Sequence, residues 1–154
     1  MRKLGIAVSS FGASQLSYLI INNINLYLEK EYKTDIIGFY ENLIKYSLDP
    51  KFSCMQSVEM WGYDGPVIAT NLNSAQDIIR IPTIRNKFFY IWDLEWINLI
   101  DKDYSKLEEI YSNPKLILIA RCKNHAKLIE SMWNTKVKYI IEDFNIDKLL
   151  EITK

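Results

Sequence analysis

Short, continuously apolar runs recur along this chain, and most are followed by a stretch with helical periodicity. The runs fall at residues 4–8, 35–40, 66–70, 87–92, 115–120 and 137–141. A strand that is apolar at nearly every position must be covered on both faces, unlike one with polar alternation. Strands of that kind, separated by helices, call for a parallel sheet with right-handed helical crossovers. The expected fold class is therefore α/β: a doubly wound, mostly parallel, Rossmann-like sheet of about six strands. The 154 residues suit one domain, 1–154, large enough to bury a core without staples.

Local patterning fills in the helices. Leu16, Ile20, Ile24 and Tyr27 share one face of a helix over 15–30. Residues 41–60 are the least legible, with a short helix expected at 42–47 and a weak strand at 57–60. Ser74 with Asp77, and Ser105 with Glu108, have capping-box spacing and mark two further helix starts. Pro82 ends the first of these. Residues 124–133 form a helix with Leu128, Ile129, Met132 and Trp133 on one side, and Asn145 caps a last short one. The strands 4–8 and 67–70 should lie near the sheet centre. Ile6, Val8, Ile20, Ile24, Ile68, Phe89, Ile91, Leu118 and Ile129 should form the core.

Several classes of function are disfavoured. Lys+Arg and Asp+Glu both number 19, so there is no general electrostatic footprint for nucleic acid. The opening apolar run is cut off by Ser9-Ser10, too soon for a signal peptide, and no stretch has membrane-span length. A cytoplasmic, soluble protein is expected, with Cys54 and Cys122 as free thiols. Cys122 and His125 make at most half a metal site, and no metal is expected. There is no Gly-x-Gly-x-x-Gly, no Gly-Lys-Ser/Thr and no Gly-x-Ser-x-Gly.

In a sheet of this type ligands bind beyond the carboxyl ends of the strands. That places loops 9–12, 40–42, 70–73, 93–96 and 121–123 around any site. Ser9 to Ser14 could cradle an anion at a helix start, or be an ordinary β–α connection. Asp93 and Glu95 are bracketed by Trp92 and Trp96. A carboxylate beside indole surface is desolvated toward general-base duty, and an indole face is a platform for a sugar ring. The alternative is that the indoles are core and the acids are helix-start or solvated groups.

With these residues in hand, the chain resembles the amino-terminal, acceptor-side domain of GT-B glycosyltransferases, especially small phage-encoded proteins and the phage DNA glucosyltransferases. The likeness is carried by residues 4–15, by Pro66-Val67-Ile68-Ala69-Thr70-Asn71, by the aromatic segment 88–96, and by 139–147, where Phe144-Asn145 replaces the family's usual Gly. The resemblance implies sugar transfer from a nucleotide-sugar donor to a hydroxyl acceptor, with no cofactor beyond that substrate. It makes Asp93 the catalytic base with Glu95 beside it, and Ser10, Gly12, Asn71, Asn73 and Trp96 substrate-binding. The acceptor is a small molecule or a nucleic acid. The family's donor contacts come mostly from a second domain, so a homodimer or a separate donor-domain partner is expected to complete the cleft. The alternative function is a non-catalytic binding module or partner subunit using the same crevice. A nucleotide-binding fold with unrelated chemistry is a third reading.

Overall fold

The apolar runs all lie in one sheet. A computed structural model describes residues 1–30, 33–42, 45–100 and 103–154. Its strands are β1 (Arg2–Val8), β2 (Thr34–Tyr40), β3 (Ser53–Gln56), β4 (Val67–Ala69), β5 (Lys87–Ile91), β6 (Leu116–Ala120) and β7 (Tyr139–Ile140). All pair in parallel, in the order β3-β2-β1-β4-β5-β6-β7. The expected Rossmann-like, doubly wound architecture is present, with β4 at the middle of the sheet and β1 beside it. The helices are α1 (Gln15–Lys30), α2 (Leu72–Arg80), α3 (Tyr104–Tyr111), α4 (Lys123–Trp133) and α5 (Ile146–Ile152).

Side chains alternate across a strand, and here each set meets a different helix layer. Leu4, Ile6, Ile68, Phe88, Tyr90 and Ile119 pack with α1 and α5. Ala7, Val67, Ala69, Phe89, Ile91 and Leu118 pack with α2, α3 and α4. The nine residues expected in the core are all buried. Cys54 and Cys122 are free thiols. Among the described residues no helix is long and apolar enough to cross a membrane.

Four local expectations need correction. The weak strand at 57–60 is instead a 3-10 helix, Ser57–Gly62, and β3 precedes it. β3 is an edge strand with no fully buried residue, so it leaves no hydrophobic signal. The apolar residues that follow it divide: Met60 enters the core while Val58 and Trp61 stay exposed. The helix start proposed at Ser74 belongs to Asn71, whose Oδ1 accepts from Ser74 N at 2.8 Å. The start proposed at Ser105 belongs to Asp103, which accepts from Lys106 N. On α4, Ile129 and Trp133 are buried but Leu128 and Met132 are exposed, because the buried stripe is narrower than the apolar pattern. The short helix expected at 42–47 includes residues 43 and 44, which lie outside the described residues.

Gly38 on β2 has a specific task. A Cβ there would sit 2.5 Å and 2.8 Å from two atoms of the Phe11 ring. Phe11 is fully buried, packs edge-on to Phe52 at 5.9 Å, and anchors the loop that follows β1. Gly38→Ala should therefore displace Phe11 at a cost of about 1–3 kcal/mol, the usual range for overpacking. Denaturant midpoints of the two proteins check the cost.

Candidate active site

The chain leaves β1 for α1 and β2 on one side, then crosses from β3 to β4 on the other. The switch of direction between β1 and β4 opens a crevice beyond their carboxyl ends, where doubly wound sheets bind ligands. It encloses about 430 Å³ and is lined by Ser10, Ser17, Asn71, Trp92, Asp93 and Glu95, among others.

One wall is the β1–α1 loop, held by its own hydroxyls. Ser14 caps α1: its Oγ accepts from Ser17 N at 3.1 Å, and its carbonyl accepts from Tyr18 N at 3.0 Å. Ser17 Oγ donates to Ser10 O at 2.9 Å, and Ser10 Oγ accepts from Gly12 N at 3.3 Å. No described residue accepts from the first two helical amides, those of Gln15 and Leu16, and both residues line the crevice. Free amides at the start of a 16-residue helix favour an anion. Glu41 N and Asn42 N both donate to Ser9 O, which ties this wall to the end of β2.

The opposite wall comes from β4 and β5. Thr70 Oγ1 donates to Ala7 O at 2.9 Å, fixing the β4 end against β1. Asp93 is exposed at the end of β5 and shares the crevice with Ser10 and Asn71. Glu95 is half-buried. Its Oε1 accepts from Leu72 N at 3.0 Å, so it sits on the first amide of α2. Burial pushes its carboxyl up to about 7 against the pull of that bond, and the charges of Asp93 and Glu41 add to the rise. The hydrogen bond occupies one of its two oxygens. Behind it, burial also raises Glu41 and Asp77; Asp77 adds to the rise at Glu41, while a hydrogen bond from Asn73 opposes it.

The remaining site residues are placed as follows. Trp96 is in the core, edge-on to Tyr111 at 5.2 Å and to Trp133 at 5.6 Å, so it offers no sugar platform in the crevice. Gly12 is buried and shapes the loop rather than lining the cavity. Asn73 is exposed on α2 and serves Glu41. The indole that borders the crevice is Trp92. Ser14 was legible only as part of the 9–14 loop, without its role as the cap, and Gln15 and Ser17 were hidden because they read as helix surface. The Ser14-x-x-Ser17 spacing was the signal that could have exposed the cap. Glu41 was visible only as a polar residue after a strand.

Among the described residues, no three His, Cys, Asp or Glu side chains are placed to hold a metal ion. His125 Nδ1 is buried without a hydrogen-bond partner among the described residues, and burial, then Arg121, lower that imidazole's affinity for a proton while Asp93 raises it.

Fold and crevice together define a doubly wound α/β protein with a polar site at its switch point. No protein family, curated protein or solved structure matches the chain.

Proposed function

We propose that the crevice binds a phosphate-bearing small molecule of the nucleotide-sugar class and deprotonates a hydroxyl beside it, the acceptor half of a glycosyl transfer. One observation carries this reading: the residues that bear the free amides of α1 and a carboxyl raised by burial to about 7 line a single cavity. The donor's phosphates take the helix start, where the dipole favours negative charge. The acceptor O–H gives its proton to a carboxylate, the oxygen attacks the anomeric carbon, and the bond from that carbon to the phosphate oxygen breaks. Position at the strand end favours Asp93 as the base; environment favours Glu95, because a base works best with a pKa near the operating pH. We assign the proton to Glu95 and hydroxyl orientation to Asp93 and Asn71. This reading keeps the acids of segment 88–96 at the centre of the chemistry but departs from the resemblance to the phage glucosyltransferases, which makes Asp93 the base and takes most donor contacts from a second domain.

A second reading, a non-catalytic partner subunit, is favoured by one feature. Ile97, Leu99, Ile100 and Tyr104 are exposed directly after Glu95-Trp96, Ile100 at 98%. Apolar surface of this kind beside a site suits a docked partner.

The deciding experiment is a thermal-shift screen with UDP, UDP-glucose and inorganic phosphate, followed by turnover assays on any donor that binds. A ligand at 100 times its Kd should add roughly 2.7 kcal/mol of stability. Asp93→Asn should retain donor binding. Turnover that survives Asp93→Asn but not Glu95→Gln assigns the base to Glu95. The opposite pattern assigns it to Asp93. Binding without turnover under every donor puts the partner-subunit reading first.

A further inference from the structure

Next to the crevice lies a second cavity of about 290 Å³, lined by Gln15, Trp92, Arg121, Cys122, Glu142 and Asp143. Gln15 and Trp92 line both cavities, so the two are one continuous surface with an indole at the junction. Arg121 follows β6, and its guanidinium lies over the Trp92 ring, 4.5 Å from the centroid. That contact immobilises the guanidinium. No described residue pairs with its N–H groups by a hydrogen bond or an ion pair, although two carboxylates line the same cavity.

Those carboxylates are held there by a strained turn. Asp143 and Phe144 have φ of 49° and 50°, the left-handed region that non-glycine residues avoid. Four hydrogen bonds over-determine the turn. Tyr90 OH donates to Ile141 O at 2.7 Å and accepts from Phe144 N at 3.1 Å. Asn23 Nδ2 donates to Asp143 O at 2.8 Å and to Phe144 O at 3.1 Å. Burial pushes the Tyr90 phenol up to about 12, so it stays protonated and keeps donating. Strain maintained by such contacts concentrates at functional positions.

The chemistry of the lining selects the ligand. Arg121 only donates, Glu142 and Asp143 only accept, and the Gln15 amide does both. An anion would be attracted by Arg121 but would meet two carboxylates. A hydroxyl matches all of these groups, because it donates and accepts at once. We infer that this second cavity is a subsite for a neutral, hydroxyl-rich ring, a sugar, positioned so that one hydroxyl reaches across Trp92 toward Asp93 and Glu95. The inference rests on the transfer reading above and names its acceptor class, a sugar.

The test is titration of the intact chain with methyl glucopyranoside, methyl galactopyranoside and myo-inositol, followed by tryptophan fluorescence and by NMR of the backbone amides. A monosaccharide-sized ligand should bind with a Kd on the order of millimolar. Amide shifts should centre on Gln15, Trp92, Arg121 and Glu142. Arg121→Met, which keeps the stem over the indole, and Glu142→Gln should each weaken sugar binding about tenfold or more. UDP binding should change less than about twofold in both variants, and unchanged UDP binding also certifies that they fold. No binding of any of the three probes, or equal affinity in wild type and Arg121→Met, overturns the proposal. Sugar binding without UDP binding would leave the subsite standing and sink the donor half of the transfer reading.

Discussion

Glu95→Gln should make the protein more stable at pH 8 and should remove most of its loss of stability between pH 5 and 8. The Glu95 carboxyl rises from 4.5 to about 7 on folding, chiefly because it is buried. Below pH 4.5 it is protonated in both states and contributes no pH dependence. As pH rises from 4.5 to 7 the unfolded chain releases the proton and the folded chain retains it. Stability therefore falls across that window and levels off above it. That rise corresponds to about 3 kcal/mol. For a domain of this size that is a melting-temperature difference of roughly 5–10 °C. Gln preserves the acceptor for Leu72 N, so the start of α2 is not lost along with the charge. Glu41 and Asp77 are raised in the same direction, so a residual slope should remain. Thermal melts of both proteins from pH 4 to 9 check the sign as well as the size. If the crevice performs transfer, the same variant should lose about 10²–10⁴ in rate, because an amide cannot take the proton. A gain in stability paired with a loss of activity is the signature of a carboxylate kept for chemistry rather than for folding.

Trp133→Ala should cost about 3–5 kcal/mol, the range for removing a buried Trp. Trp133 stacks on Tyr111 with centroids 5.1 Å apart, meets Trp96 edge-on, and borders Tyr104. This cluster holds Trp96, and Trp96 is the next residue after Glu95. Truncation should therefore also reach the site. Water entering beside Trp96 would relieve the desolvation of Glu95, and the pH window of stability should move downward. Trp133→Phe should be much milder. It keeps an aromatic ring and removes an indole Nε1 that is buried without a partner among the described residues. Denaturant midpoints at pH 5 and pH 8 separate the two effects. A cost that is equal at both pH values would mean that the cluster stabilises the fold without influencing Glu95.

The aromatic cluster also explains why Trp92 and Trp96 were indistinguishable in the sequence. They are four residues apart and flank the same two acids. Trp92 lies at the end of β5, where the sheet opens into the crevice. Trp96 lies in a 3-10 turn, Glu95–Ile97, that rotates its ring into the layer under α3 and α4. Which indole faces a ligand depends on that turn, and no local pattern announces it. The same holds for the acids. Asp93 and Glu95 differ by one methylene and stand two positions apart, yet Asp93 is exposed while Glu95 is half-buried against the start of α2, where burial drives its carboxyl up.

The alternation of apolar runs with helical periods was sufficient to determine a parallel, doubly wound sheet, its two central strands and nine residues of its two cores. Hydrophobic burial is a property of each segment's own composition, so it is legible without knowing the neighbours. The loops beyond the carboxyl ends of the strands were legible for the same reason, since the topology of such a sheet dictates where its crevice lies. Tertiary structure alone decided the edge strand β3, the stacking of Arg121 on Trp92, the environment of Glu95, and the hold on the turn at Asp143. Each of these depends on contacts between residues distant in sequence, as Glu95 with Leu72, Arg121 with Trp92, and Asn23 with the turn at Asp143. Long-range contacts set solvent exposure and field at a polar group, and those two quantities determine whether a side chain is inert or chemically poised.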